Sequence, residues 1–434
     1  MITLNFLYMK KTSKKFWSYG FLLLMGTLLL QACNKDLPEA TPIEHPTPSG
    51  QSIMEKLNDA EYSILKAAIT KASTFNSPTG KLSDLLNDKK KVFTFFAPDN
   101  TALANSFVAL GLPVNDVTAL NYLRNGQLDT IIKYHLIGGQ QFTSSTITPA
   151  APSLNLYLQS SFLLQAPSAA VPPGVRMPVF LGKQGPVVFA NYMPVTQADI
   201  ALANGTMHKL GVVALLPPSQ VLWQRIATDP DLTYLAAAIQ RGDEGDPAKT
   251  VENALKNAVA NLTVFAPSNL AFQQLLTGQI TQALIPIITQ QLILGGATPE
   301  DAAAQAPALA LAQATALAST PGVFTNPALA SVLTPTTVKG MVVYHILGNR
   351  AFTVNLPTTA TAVPTLLNGA IPAHPGVSLQ ATFGMSGVTA ATVKGAANPT
   401  ASNIALNPAL GNGSSDQHYI NGALHKIDQV LRPQ

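Results

Sequence analysis

The chain has a single cysteine, Cys33, in 434 residues. No intramolecular disulfide framework and no all-cysteine zinc site is possible with one thiol. Charge is scarce too: Asp, Glu, Lys and Arg together make 11% of the residues, against about 25% in ordinary globular proteins. So few charges exclude a charge-rich disordered chain and a strongly basic nucleic-acid binder. Aromatics are 7% and spread thinly. Several chemical motifs are missing. There is no His-Glu-x-x-His, no phosphate-binding glycine loop, no dinucleotide fingerprint and no Gly-x-Ser-x-Gly. The seven histidines form no pair at helical ligand spacing, which leaves metal-ion and nucleotide cofactors without a signal. No cofactor and no nucleic-acid partner is expected.

What is present begins with 47% apolar residues, enough for a large core. The formal charge of +4 comes from Lys10, Lys11, Lys14 and Lys15, the only charged residues ahead of Cys33. They precede the short apolar run Phe21–Leu30, the layout of a secretory signal and too short for a confident membrane span. The run ends in Leu30-Gln31-Ala32-Cys33, which resembles a bacterial lipobox, where a small residue precedes the cut and the thiol after it takes a diacylglycerol. Residues 1–32 are therefore read as a lipoprotein signal peptide, Cys33 as the lipidated residue, and 33–51, with Pro38, Pro42, Pro46 and Pro48, as an extended tether. The expected location is the outer membrane of a Gram-negative cell, on its surface or periplasmic face.

The rest of the chain is duplicated. Four landmarks recur in order: Ser63–Ile69 with Thr233–Ile239, Thr94–Leu103 with Thr263–Phe272, Tyr134–Gly138 with Tyr344–Gly348, and Asn204–Leu210 with Asn421–Ile427. This spacing is too long for a solenoid and marks two copies of one domain, read as 52–219 and 220–434. The offset jumps between the second and third landmarks, which places an insertion at about 280–335 in the second copy. Thr298-Pro299-Glu300-Asp301 reads as a helix start and Pro321-Gly322 as a stop, so one or two extra helices are expected there, broken near Pro307. Few contacts are expected to cross the boundary near Pro217-Pro218.

Local patterns fill in the copies. Phe93–Phe96 and Leu262–Phe265 are β-favouring runs ended by Ala-Pro, and Asp99 and Ser268 are placed to cap the following helices. Tyr157–Leu164, Pro178–Leu181 and Pro186–Ala190 read as strands. Asn204-Gly205 and Asn421-Gly422 predict tight hairpin turns, with Asp199-Ile200 ahead of the first and Asn403-Ile404 ahead of the second. His135 and His345 fall on the apolar stripes of helices, each following a tyrosine, Tyr134 or Tyr344. His208 and His425 lie in the closing strands, where structural or solvated roles are expected.

The Thr-Val-Phe-Ala-Pro-Ser-Asn-x-Ala-Phe run at 263–272, its altered form at 94–103, the Tyr-His helix ends and the closing stretch Asn421–Pro433 together resemble the fasciclin domain family. The resemblance covers about 52–434. It implies a mixed α/β (α+β) fold: two tandem domains, each a β-sandwich or wedge of short strands with helices packed along one side. It also implies a non-enzymatic adhesion or binding role. In animal members the Tyr-His region is implicated in integrin adhesion, which makes Tyr134, His135, Tyr344 and His345 candidate interaction or structural residues here. The partner is expected to be an extracellular protein or glycan. The alternative is a carbohydrate or small-ligand binder using an inter-domain or insertion-lined pocket. One departure stands out: Gly211 occupies the place that Asp428 fills in the second copy.

Overall fold

In each half, the strand that ends in Ala-Pro lies beside the closing strand, and the two run parallel. In the computed structural model, β1 (Phe93–Pro98) pairs with β7 (Gly205–Leu210), Phe93 opposite Gly205. In the second half, β8 (Leu262–Pro267) pairs with β15 (Gly422–Ile427), Leu262 opposite Gly422. The structure describes residues 48–77, 80–147, 156–165, 175–384, 387–406 and 414–434. The proposed signal segment, Cys33 and nearly all of the tether lie outside them.

Side-chain alternation along these central strands divides each half into two cores. Phe93, Phe95 and Ala97 point toward helices and join Leu65, Ile69, Leu103, Phe107 and Ile132. Phe96 points to the opposite side and joins Tyr134, Ile137, Val179 and Leu210. The second half repeats this. Val264 and Ala266 meet Leu235, Ile239, Phe272 and Val342, while Phe265 meets Tyr344, Leu379, Val393 and Leu431. This is the mixed α/β architecture with helices along one side that the sequence predicts.

The helices are α1 (Ile53–Lys56), α2 (Ser63–Ala72), α3 (Leu82–Asn87), α4 (Asn100–Ala109) and α5 (Asn125–Tyr134) in the first half. In the second they are α6 (Leu222–Thr228), α7 (Thr233–Gly242), α8 (Thr250–Lys256), α9 (Asn269–Leu294), α10 (Pro299–Leu317) and α11 (Pro335–Tyr344). Asp99 and Ser268 do cap α4 and α9, accepting from Ala102 N–H at 2.8 Å and Ala271 N–H at 3.2 Å.

The two halves differ in their sheets. The first has one seven-stranded sheet in the order β2-β1-β7-β6-β5-β4-β3. It uses β2 (Leu136–Gly138), β3 (Leu156–Gln165), β4 (Val175–Gln184), β5 (Val187–Ala190) and β6 (Met193–Leu202). In the second, the equivalent strands form two four-stranded sheets. One holds β10 (Thr361–Val363), β11 (Val377–Gly384), β12 (Gly387–Lys394) and β13 (Ser402–Asn403). The other holds β14 (Gln417–Tyr419), β15, β8 and β9 (Ile346–Leu347).

Three expectations need correcting. The hairpin turns are Ala203-Asn204 and Ile420-Asn421, with Leu202 opposite Gly205 and Tyr419 opposite Gly422, so each glycine is the first residue of its strand. Glycine is required there by crowding: a Cβ on Gly205 would lie 1.9 Å from the Phe93 carbonyl oxygen, and one on Gly422 2.4 Å from that of Leu262. Next, Pro307 does not break the inserted helix. α10 runs through it, and α9 likewise runs through Pro286. Each proline removes one intrahelical bond, to the carbonyl four residues earlier, at Ala303 and Gln282, and both are exposed residues on the side of the helix away from the core. The buried edge of α10 is Ala302, Ala306, Ala310 and Ala314. These small side chains let it lie closely along Leu284, Ile285, Ile288 and Leu292 of α9.

The third correction concerns Asp199. Its counterpart is Asp416, not Asn403. Both aspartates have positive φ, 60° and 52°. Both donate their N–H to a buried histidine, His208 Nδ1 at 3.3 Å and His425 Nδ1 at 3.2 Å. Both accept from a backbone N–H and a hydroxyl of one residue, Ser144 or Thr353.

Candidate interaction site

The Tyr-His pairs sit at the ends of α5 and α11, each histidine capping its helix. All four side chains are buried. His135 Nδ1 lies 2.7 Å from the Ile131 carbonyl oxygen, and its Nε2 accepts from Leu215 N–H at 2.8 Å. His345 does the same with the Met341 carbonyl and Leu431 N–H, both at 2.8 Å. An acceptor at one nitrogen and a donor at the other fix a neutral ring protonated on Nδ1. Burial holds both rings' pKa down at about 4, against a smaller upward pull from the carbonyl. Each imidazole thus ties the end of its helix to the segment after its closing strand. It presents no face to solvent.

The closing strands carry a matching pair. His208 and His425 are fully buried, donate from Nε2 to the Phe142 and Ala351 carbonyls at 2.9 Å, and stack on Phe96 and Phe265. Desolvation lowers the His208 pKa. Lys209 and Lys426 beside them face outward to carboxylates. Lys209 pairs with Glu61 and reaches Asp99 at 3.4 Å, and Lys426 reaches Asp229 at 2.9 Å and Asp231 at 3.2 Å.

The tyrosines part company. Tyr344 Oη donates to the Gly376 carbonyl at 2.6 Å and accepts from Ala396 N–H at 2.9 Å, within its own half. Tyr134 Oη donates to the Pro178 carbonyl at 3.2 Å, accepts from Asn191 at 3.1 Å, and lies 3.5 Å from Nδ1 of His418 in the other half. His418 leads to Arg350, whose Nη1 is 2.6 Å from its Nε2. The guanidinium also donates to the Ile420 carbonyl at 2.9 Å and lies 4.5 Å from the centre of the Phe180 ring. Burial and the adjacent Arg350 charge hold His418 well below the usual histidine pKa. Phe180 and Phe189 from the first half pack with Phe352, Val354 and Ala423 from the second. Contacts between the halves are therefore numerous, but they lie far in sequence from Pro217-Pro218. Residues 48–434 form one compact unit.

The histidine ties were visible in sequence as helix-stripe residues. Arg350, His418 and Asp416 were not singled out. Asp416 could have been found, since it follows Asp199 at the same interval as Asn421 follows Asn204. Asp428 acts locally, accepting from Asn403 N–H and Ser402 Oγ, both at 2.8 Å, and so holds β13. Among the described residues, no three His, Cys, Asp or Glu side chains gather as a metal site requires, and no helix is long and apolar enough to cross a membrane.

The fold and the paired ties define a duplicated α/β domain protein. Residues 67–216 match the family model of the Fasciclin domain. Among solved structures, the chain is similar to a FAS1 domain pair from the insect cell adhesion molecule fasciclin I. The match has 14% identity, covers 88% of this chain and 95% of that one, and has a TM-score of 0.30. No curated protein matches.

Proposed function

We propose that this chain is a non-enzymatic adhesion or binding protein of the cell surface, built from two tandem fasciclin domains and held to a membrane by lipid on Cys33. The observation that carries the reading is the fasciclin domain at 67–216, a domain type associated with adhesion. The second half is assigned to the same family because it repeats the first bond for bond at Asn204 and Asn421, at His135 and His345, and at His208 and His425. The Tyr-His residues enter this reading as supports for the binding surface, since their side chains are buried.

A second reading, a carbohydrate or small-ligand binder, draws on a cleft of about 570 Å³ between the β4–β5 and β11–β12 hairpins. Gln184, Val187, Phe189, Pro194 and Phe383 line it. The deciding experiment displays the full chain on beads and measures retention on a glycan array, on matrix proteins and on cell layers. Retention on proteins or cells supports adhesion, and retention confined to glycans supports the second reading. Retention equal to bare beads on every surface would sink both.

A further inference from the structure

The two copies use equivalent positions beside the Tyr-His helix differently. In the first, Ser106, Leu110, Ile131 and Leu216 help to close an apolar void of only about 20 Å³. Their counterparts in the second are Leu275, Gln279, Met341 and Arg432. The correspondence rests on α4 and α9 both starting at a capped asparagine, on α5 and α11 both ending in Tyr-His, and on Leu215 and Leu431 both donating to that histidine. Here the groove stays open, as a cleft of about 330 Å³ between α9, α11, the turn at Leu367–Ile371 and the segment Leu431–Gln434. That volume is at the small end of the ligand-pocket range.

Three features describe what fits. The walls are aliphatic: Leu275, Met341, Leu367, Ile371 and Leu431. Of the lining side chains only that of Arg432 is charged; Gln434, whose backbone carries the terminal carboxylate of this sequence, also borders the cleft. Arg432 makes its hydrogen bonds through its backbone, to Asn398 and Ala397, and its guanidinium has no ion pair among the described residues. No aromatic ring lines the cleft, so a sugar face has nothing to stack on. The third feature is Gly340. A glycine inside a helix is unfavourable, yet α11 keeps one at the cleft, where a Cβ would meet nothing within 4 Å. The first copy has Thr130 at this position, with its hydroxyl bonded to the Gly126 carbonyl.

We propose that this cleft binds a small alkyl carboxylate, its chain along Met341 and Leu275 across the bare face of Gly340 and its carboxylate on Arg432. The site belongs to the second copy alone. It does not depend on the adhesion reading, which its failure would leave untouched.

The probe is decanoate, added to the full chain carrying 13C-methyl methionine, with the Met341 signal assigned from Met341→Leu. The Met341 methyl should shift saturably with decanoate, and much less with acetate or decanol. Arg432→Gln should weaken binding about tenfold or more, as loss of a charge-assisted hydrogen bond does. Gly340→Leu should abolish the shift, while Leu216→Gln, at the matching place in the first copy, should leave it unchanged. Melting curves check that each variant folds; if Gly340→Leu does not, Arg432→Gln decides alone. The proposal is overturned by an unmoved Met341 signal, by shifts confined to other methionines, by decanol binding as well as decanoate, or by Arg432→Gln binding undiminished.

Discussion

His418 Nε2 stands 2.6 Å from Nη1 of Arg350, and through this contact a buried cation of the second half is held against Phe180 of the first. Arginine always donates, so His418 must accept, and its proton sits on the nitrogen that faces Tyr134. Arg350→Met should cost about 2–4 kcal/mol, because the Ile420 carbonyl and the His418 ring both lose a donor in a buried place. Adding His418→Phe should recover part of that loss, since an apolar pair leaves nothing unsatisfied. Denaturant unfolding of the single and double variants measures both. An additive double variant would show that the two residues do not act together.

Acid should destabilise the fold in a defined window. His135 and His345 have a folded-state pKa of about 4, below their ordinary value of 6.5, and His208 and His418 are lowered as well. The unfolded chain therefore binds more protons than the folded one between these values. Stability is fully present above about pH 6.5 and falls as pH drops toward 4, on the order of 3 kcal/mol for each of the first two rings. Unfolding curves recorded from pH 7 to pH 4 test this. His135→Ala and His345→Ala should each lower the melting temperature at pH 7 and flatten the pH dependence. Unchanged melting in both variants would remove the structural role.

Asn204 and Asn421 are a matched pair of braces. Each accepts from a distant N–H, that of Ile53 at 2.8 Å or Leu222 at 2.9 Å, and donates to a distant carbonyl, that of Leu86 or Leu255, at 2.8 Å. Alanine at either position should cost about 2–4 kcal/mol, as two buried backbone groups lose their partner. The two losses should be alike within about 1 kcal/mol in equilibrium unfolding, given the shared geometry.

Pro307 is the opposite case. Pro307→Ala restores an N–H to α10 without touching the alanine edge packed on α9. Stability should rise by about 1–3 kcal/mol, read as a higher melting temperature. A fall would mean that the proline makes a contact which alanine cannot replace.

Cys33→Ser tests the proposed anchor. The variant should leave the membrane fraction after a high-salt wash, since one apolar signal run without acyl chains gives no stable attachment. Retention in that fraction would sink the lipid anchor.

The duplication, the central strands and the histidine-capped helix ends were legible because they rest on local patterns: alternation in Phe93–Phe96, capping at Asp99, the helical stripe ending in His135. The inter-domain junction was not. Arg350 replaces Gln141, which bonds Thr206 within its own half, so comparing the copies gives no hint of what the arginine does. Its partners, His418 and Phe180, lie in different halves, and only the folded arrangement brings them together. Proline misled the reading of α10 because propensity counts the missing N–H but not its place on the exposed side of the helix, away from the alanine edge that packs on α9. Asp416 keeps the spacing of Asp199, five residues ahead of its asparagine, and was missed because Asn403-Ile404 resembles Asp199-Ile200 more closely in sequence.

The parallel pairing of the first central strand with the last has a kinetic consequence. Phe93 cannot find its neighbour until Gly205 has been made, nor Leu262 until Gly422 has. Each copy must close a very long loop before its central sheet exists, the kind of non-local contact that slows folding. Lengthening that loop by the α9–α10 hairpin adds only a few tenths of a kcal/mol in closure entropy, because the term grows with the logarithm of length. A chain made from its N-terminus therefore cannot complete the central sheet of either copy until that copy's closing strand has emerged, so each first strand waits unpaired while the residues between are made.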